Sequence, residues 1–324
     1  MALATRLTKA LNIRHPIISA PMAFAAGGKL AAAVCNARAL GLIGGGYGDG
    51  DWIDGEFQAA GNAPVGCGFI SWSLGKQPQL LDRVLRHAPR AIFLSFGDPA
   101  PFIARIKGAG ALVICQVQTR KDAQHAIESG ADIIVAQGTE AGGHGDKRAT
   151  LTLVPEVADL IKLTRPETLL CAGGGIADGR GLAAALMLGA DGVLIGSRLW
   201  ASTEANVSKG MHDAALAATG DDTIRSQVMD LARKLDWPSR YTARVLKNAY
   251  IDRWHGREAE LMLVADEEAA KYRAAWAAGD PVRSNTFVGE VAGLIQSIDP
   301  VETIISRIVS EAEGLLGGAG RYVG

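Results

Sequence analysis

A chain of 324 residues, 48% hydrophobic and 21% charged, can fill the core of one large α/β barrel or of two smaller domains. Its formal net charge of −1, with Lys and Arg scattered, excludes the basic footprint of a nucleic-acid or membrane-surface protein. No window approaches the roughly 18 uninterrupted apolar residues of a membrane span, and the N-terminal stretch has no export pattern, so a cytoplasmic protein acting on a small molecule is expected.

From residue 16 onward, short apolar runs that end in glycine or a polar residue alternate with helical segments, the signature of βα units. Eight strands are predicted: PIISA (16–20), LGLIGG (40–45), PVGCGF (64–69), AIFLSF (91–96), LVICQV (112–117), DIIVAQ (132–137), TLLCAG (168–173) and GVLIGS (192–197). Most are apolar on both alternating faces, as parallel strands covered on each side must be. The stretches SGADIIVAQG from 129 and LGADGVLIGS from 188 nearly repeat, two βα units of about thirty residues apart. Helix signals fit between the strands. Thr119 with Asp122 predicts a capped start with Gly130 as the stop, and Asp178 predicts the cap of a helix running to Gly189.

Eight such units favour a closed (β/α)8 barrel of the TIM type over an open doubly wound sheet. After about residue 205 the glycine-punctuated alternation stops. SQVMDLARKL, RYTARVLKNAYIDRW and EAAKYRAAWAAG predict a helical cover over the barrel mouth, spanning 206–280, with 1–205 plus 281–324 forming the barrel. GDP (279–281) reads as a turn, followed by amphipathic helices in EVAGLIQSI and VETIISRIVSEAEGLL.

In such barrels the chemistry sits in the loops after the strands. CAGGGIADGRG (171–181) and IGSR (195–198) follow the seventh and eighth predicted strands. Glycines there let backbone N–H groups and a helix N-terminus approach an anion, which makes Gly174, Gly175, Gly196 and Ser197 candidate phosphate ligands. A pair of tight βα turns is the plainer alternative, and the GxGxxxG spacing of GGGIADG misses the dinucleotide fingerprint. After the sixth strand comes AQGTEAGGHGDKR (136–148), where His144 stands between Gly143 and Gly145. A histidine on so flexible a backbone suits a general base or a donor to a substrate oxygen; otherwise it is a surface-loop residue. Glu140 either orients it or is solvated. His15, His87, His125, His212 and His255 read as structural, and no metal-ligand spacing or GxSxG elbow occurs. Cys35, Cys67, Cys115 and Cys171 stand far apart and read as free thiols in a reducing cytosol.

Taken together, HPIISAPMA, EAGGHGD, AGGGIADGRGLAAALMLGADGVLIGSR and the late GEVAGLI make the chain resemble the nitronate monooxygenase family, formerly called 2-nitropropane dioxygenases, over nearly its whole length. That resemblance implies an FMN-containing barrel with a smaller helical domain over the flavin. It implies that Ala20, Pro21 and Met22 line the flavin, that Gln116 reaches its isoalloxazine or ribityl region, and that Gly143 approaches it. Gly174, Gly175, Gly196 and Ser197 would hold the phosphate, and His144 matches the family's catalytic histidine.

The implied reaction is FMN-dependent oxidation of an alkyl nitronate, or of a nitroalkane after loss of its α-proton, with O2 to a carbonyl compound and nitrite. His144 would act either as the base or as the holder of the nitro oxygens, and a homodimer is left open. Three features depart from the family pattern: Gly68 stands where many relatives have asparagine, NARALG replaces NAGGLG, and the connection between the second and third strands is short. The flavin-dependent enoyl-acyl-carrier-protein reductases share EAGGHxG and GGIADG. They and a quinone reductase branch, both using NAD(P)H, are the alternatives, with a non-catalytic flavin- or phosphate-binding barrel as a third.

Overall fold

The eight apolar runs become eight parallel strands in a computed structural model, which describes residues 3–322. They are β1 (Ile17–Ser19), β2 (Leu42–Gly44), β3 (Gly66–Ile70), β4 (Ala91–Ser95), β5 (Leu112–Val117), β6 (Ile133–Gln137), β8 (Leu169–Gly173) and β9 (Gly192–Ile195). The order β1-β9-β8-β6-β5-β4-β3-β2 runs round a barrel. It closes between β1 and β2 through the Ile18–Leu40 bridge, where Ser19 N–H donates to Leu40 O at 2.9 Å and Leu40 N–H to Ile17 O at 3.0 Å. The fold is therefore the expected (β/α)8 barrel.

Alternation along the strands explains why they read apolar on both faces. Ile18, Leu42, Phe93, Ile114, Val135 and Leu194 fill the barrel interior together with Leu7 and Leu11 of the helix Arg6–Leu11. Arg90, just before β4, donates to Leu11 O at 2.8 Å, which puts that helix at the N-terminal end of the strands. The alternate set, including Ile17, Ile43, Ile92, Val113 and Ile134, packs outward against the helices. The internal repeat has a shared physical cause. Asp132, before β6, accepts from Val113 N–H of the neighbouring strand at 2.8 Å, and Asp191, before β9, accepts from Leu170 N–H at 2.9 Å.

The predicted caps form: Thr119 accepts from Asp122 N–H at 3.1 Å, and Asp178 from Gly181 N–H at 3.2 Å. All four cysteines are free. Burial pushes the Cys67 and Cys115 thiols up to about 12, which removes them as nucleophiles near neutral pH. No helix among the described residues is long and apolar enough to cross a membrane.

Two local expectations need correcting. The segment 206–280 carries helices, among them Lys209–Ala217, Val228–Arg233 and Ala265–Ala278, but RYTARVL is not helical. Thr242–Leu246 forms β11, which pairs antiparallel with β10 (Thr223–Ser226) and with β7 (Gly143–Gly145) in a separate three-stranded sheet. The β-branched Thr242 and Val245 suit a strand, and long-range pairing outweighs the helical propensity of their neighbours. Likewise EVAGLIQSI makes only one 3-10 turn, Glu290–Leu294. Its approach is tied down at Gly289, whose N–H donates to Ser197 Oγ at 2.9 Å and where a Cβ would come within 2.5 Å of Glu140 O.

Candidate active site

The loops that leave the C-terminal ends of the strands surround a cavity of about 310 Å³. All ten residues singled out from the sequence line it: Ala20, Pro21 and Met22 after β1, Gln116 on β5, Gly143 and His144 on β7, Gly174 and Gly175 after β8, and Gly196 and Ser197 after β9.

The cavity can be tested for fit to a phosphate-bearing flavin. Gly174 and Gly175 take φ of +97° and +73°, a left-handed conformation that glycine adopts without steric cost. Among the described residues, the backbone N–H groups of Gly174, Gly175, Gly196 and Ser197 meet no acceptor. A Cβ built on Gly143 would meet nothing within 4 Å, and one on Gly196 would touch only Ala20 Cβ at 3.6 Å and Met22 Sδ at 3.9 Å. At Gly143 and Gly196 a side chain would not clash with the protein, whereas at Gly174 a Cβ would come within 2.9 Å of Gly138 O; the open space at the first two and the unmatched N–H groups fit an anionic, planar guest. The helix end itself is not available to that anion. Asp178 caps Gly181, and Glu311 accepts from Gly179 N–H at 2.8 Å, so it is the loop amides rather than those of the helix Gly179–Met187 that are left without partners.

Gln116 joins a network that ends at the histidine. Its Nε2 donates to Gln137 Oε1 at 3.1 Å, Gln118 Nε2 donates to the same oxygen at 2.9 Å, and Gln137 Nε2 donates to His144 O at 3.0 Å. Gly68 also lines the cavity, and a Cβ there would meet Pro21 Cβ and Cγ at 2.3 Å. The proline ring thus fills the space that an asparagine side chain would need.

His144 is not a surface-loop residue. It pairs with Ala243 of β11, is 8% exposed, and its Nε2 lies 2.9 Å from Asp230 Oδ2. Its ring stacks on Trp237 with centroids 3.4 Å apart and planes within 5°. Burial lowers its pKa below the ordinary value of 6.5, outweighing the hydrogen bond and charge of Asp230, which raise it. Burial alone would raise the Asp230 carboxyl, yet His144 and Arg233 together hold it below the usual carboxylate range. An ionised carboxylate only accepts, which puts a proton on Nε2; with the pKa lowered by burial the imidazole is neutral near neutral pH, with a lone pair on Nδ1. Glu140 neither orients His144 nor stands in solvent: its carboxylate accepts from Thr150 N–H at 3.1 Å and Thr150 Oγ1 at 2.9 Å, at the start of the helix Thr150–Thr164. None of the other five histidines lines the cavity.

Asp230, Arg233 and Trp237 are the site residues that the sequence did not disclose. They lie within 206–280, in a stretch without a chemical motif, and Asp230 is 86 positions from His144. The one local signal is a carboxylate and a guanidinium three apart in the otherwise apolar VMDLAR.

A closed barrel with a buried, carboxylate-paired histidine and unmatched loop amides round one cavity at the C-terminal ends of its strands has the layout of a barrel enzyme. The sequence profile of the nitronate monooxygenase family matches residues 4–66 and 69–311, and the chain belongs to that family. The break in the match falls at Cys67 and Gly68, where Pro21 closes in. The chain is 34% identical to the nitronate monooxygenase npaC of Metarhizium robertsii, over 93% of this chain and 91% of that one. It is 31% identical to the nitronate monooxygenase of Neurospora crassa, over 92% and 89%. Among solved structures it is similar to FabK from Thermotoga maritima, with a TM-score of 0.87 and 31% identity over 99% of this chain and 100% of that one. The family is flavin-dependent, which agrees with the fit of the cavity.

Proposed function

We propose that this enzyme holds FMN and oxidises alkyl nitronates with O2, two nitronates and one dioxygen giving two carbonyl compounds and two nitrites. The carrying observation is the His144–Asp230 contact at 2.9 Å inside the cavity that Gly143, Gly174, Gly175 and Gly196 line. Ala20, Pro21, Met22 and Gln116 would flank the flavin ring system, while loop N–H groups of Gly174, Gly175, Gly196 and Ser197 would take its single phosphate. When bound, the flavin supplies the electron transfer between substrate and oxygen; the protein supplies position and electrostatics.

A nitronate arrives already deprotonated. For a neutral nitroalkane, Nδ1 of His144 takes the α-proton, and Asp230 steadies the imidazolium that results, as a carboxylate does when it fixes one tautomer of a catalytic histidine. Residues 206–280 act as the substrate-selecting cover, since Arg233, Trp237 and Trp276 from it line the cavity. Four free cysteines suit a cytoplasmic, reducing setting.

The likeness to FabK keeps a second reading, reduction of an enoyl thioester or a quinone by NAD(P)H through the same flavin. A His144→Ala variant tests the main one. With the flavin content unchanged, nitroalkane turnover should fall by about 10²-fold or more, the ordinary worth of a positioned base. Unchanged nitroalkane turnover would remove His144 from the chemistry.

A further inference from the structure

The His144–Asp230 pair leaves unexplained two other polar side chains on the same cavity wall, Arg233 and Asn285. The Arg233 side chain is 16% exposed. Its Nη2 donates to Asp230 Oδ1 at 2.7 Å and its Nε to Met229 O at 3.3 Å. The guanidinium lies over the Phe287 ring at 5.3 Å and the Tyr47 ring at 5.6 Å. Its Nη1 meets no carbonyl or carboxylate among the described residues; the Tyr47 hydroxyl is its polar neighbour.

Asn285 is 1% exposed. Its Oδ1 accepts from the Tyr272 hydroxyl, while its Nδ2 has no partner. A buried amide nitrogen left without an acceptor is costly, and native proteins keep few of them. The two side chains belong to one corner of the site. Phe287, two residues beyond Asn285, sits beneath Arg233 and 6.3 Å from the His144 ring, and Tyr272 interacts with both Asn285 and Arg233.

A guanidinium with only the Tyr47 hydroxyl beside its remaining N–H groups, and a buried amide N–H2 without an acceptor, both on residues that line a cavity beside a neutral histidine, complement a small planar oxyanion. We propose that Arg233 and Asn285 form an oxyanion subsite that holds the charged oxygens of the substrate, leaving His144 free to handle the α-proton. The identity of that oxyanion as a nitronate rests on the proposed function; the subsite itself does not. In this arrangement His144, whose one proton is committed to Asp230, is not the residue that grips the nitro group.

The test uses the purified holoenzyme and two inert probes. Propionate has the same heavy-atom count and planar charged end as ethyl nitronate, and propionamide is its neutral counterpart. Calorimetry should find propionate bound about 10-fold or more tightly than propionamide, as expected for charge-assisted bonds. Asn285→Asp, which replaces the donor by an acceptor, should weaken propionate by about 10-fold or more. Arg233→Lys, which keeps the charge and loses the fork, should weaken it less.

Equal binding of the two probes by the unmodified enzyme, no binding of either, or a folded Asn285→Asp variant with unchanged propionate affinity would overturn the subsite. The comparison of probes needs no variant, so misfolding of a variant does not decide it. Oxygen uptake with ethyl nitronate is measured alongside. Discrimination between the probes without nitronate oxidation supports the subsite and removes the nitronate reading; oxidation without discrimination removes the subsite alone.

Discussion

The partner of His144 decides which of its two possible roles the site supports. A histidine that donates Nε2–H to an ionised Asp230 keeps its lone pair on Nδ1, and in the proposed mechanism that lone pair serves as the base. Asp230→Asn should therefore lower turnover of a neutral nitroalkane by on the order of 10²-fold, with KM changed only severalfold, while turnover of the preformed nitronate falls much less. Steady-state kinetics on both substrates would check this; equal losses would make Asp230 merely structural. The pH dependence follows from the same contact. Because burial depresses the folded pKa of His144 below 6.5, its contribution to stability is complete above pH 6.5 and is lost as pH falls through the lower folded value. The acid limb of kcat/KM for the nitroalkane should likewise lie below pH 6.5. His144 itself was legible from its glycine neighbours, whereas Asp230 was not, because nothing local connects residues 86 apart.

At the scale of elements, the strands and their turns were readable because each carries its own chemistry: buried β-branched runs, Thr119 and Asp178 at helix starts, and the Asp132 and Asp191 pins that produce the internal repeat. The strand β11 was not readable, since its partner β7 is a three-residue strand nearly a hundred residues earlier and no periodicity encodes that pairing. The glycine loops separate packing from binding. A Cβ at Gly196 would make only ordinary contacts, at 3.6 and 3.9 Å, within the protein. Gly196→Ala should thus leave the melting temperature of the flavin-free protein almost unchanged but lower the flavin-to-protein ratio after purification and weaken FMN binding in titration. A large loss of apoprotein stability with full flavin retention would mean that this glycine serves the fold.

For the whole molecule, the barrel and the segment 206–280 meet at the histidine. β7 joins the sheet of β10 and β11, and Arg225 and Arg244 of that sheet both donate to Thr139 O, at 3.1 and 3.0 Å. On the far side, Arg240 ties the loop that carries Trp237 to Asp122 and Asp146. The barrel was legible as eight repeated units, but the rest of the site was not, because Asp230, Arg233 and Trp237 of the segment 206–280, and Asn285 beyond it, acquire their chemistry only when the fold brings them to the site around His144. The nitronate and reductase readings share this architecture and differ in the source of electrons. The purified holoenzyme in air is therefore given ethyl nitronate without any nicotinamide, and separately NADH or NADPH with an enoyl thioester or a quinone, while oxygen and nitrite are recorded. Oxygen uptake and nitrite release are expected with ethyl nitronate alone. Inertness toward the nitronate, with rapid consumption of NADH or NADPH on adding the thioester or quinone, would contradict the nitronate reading.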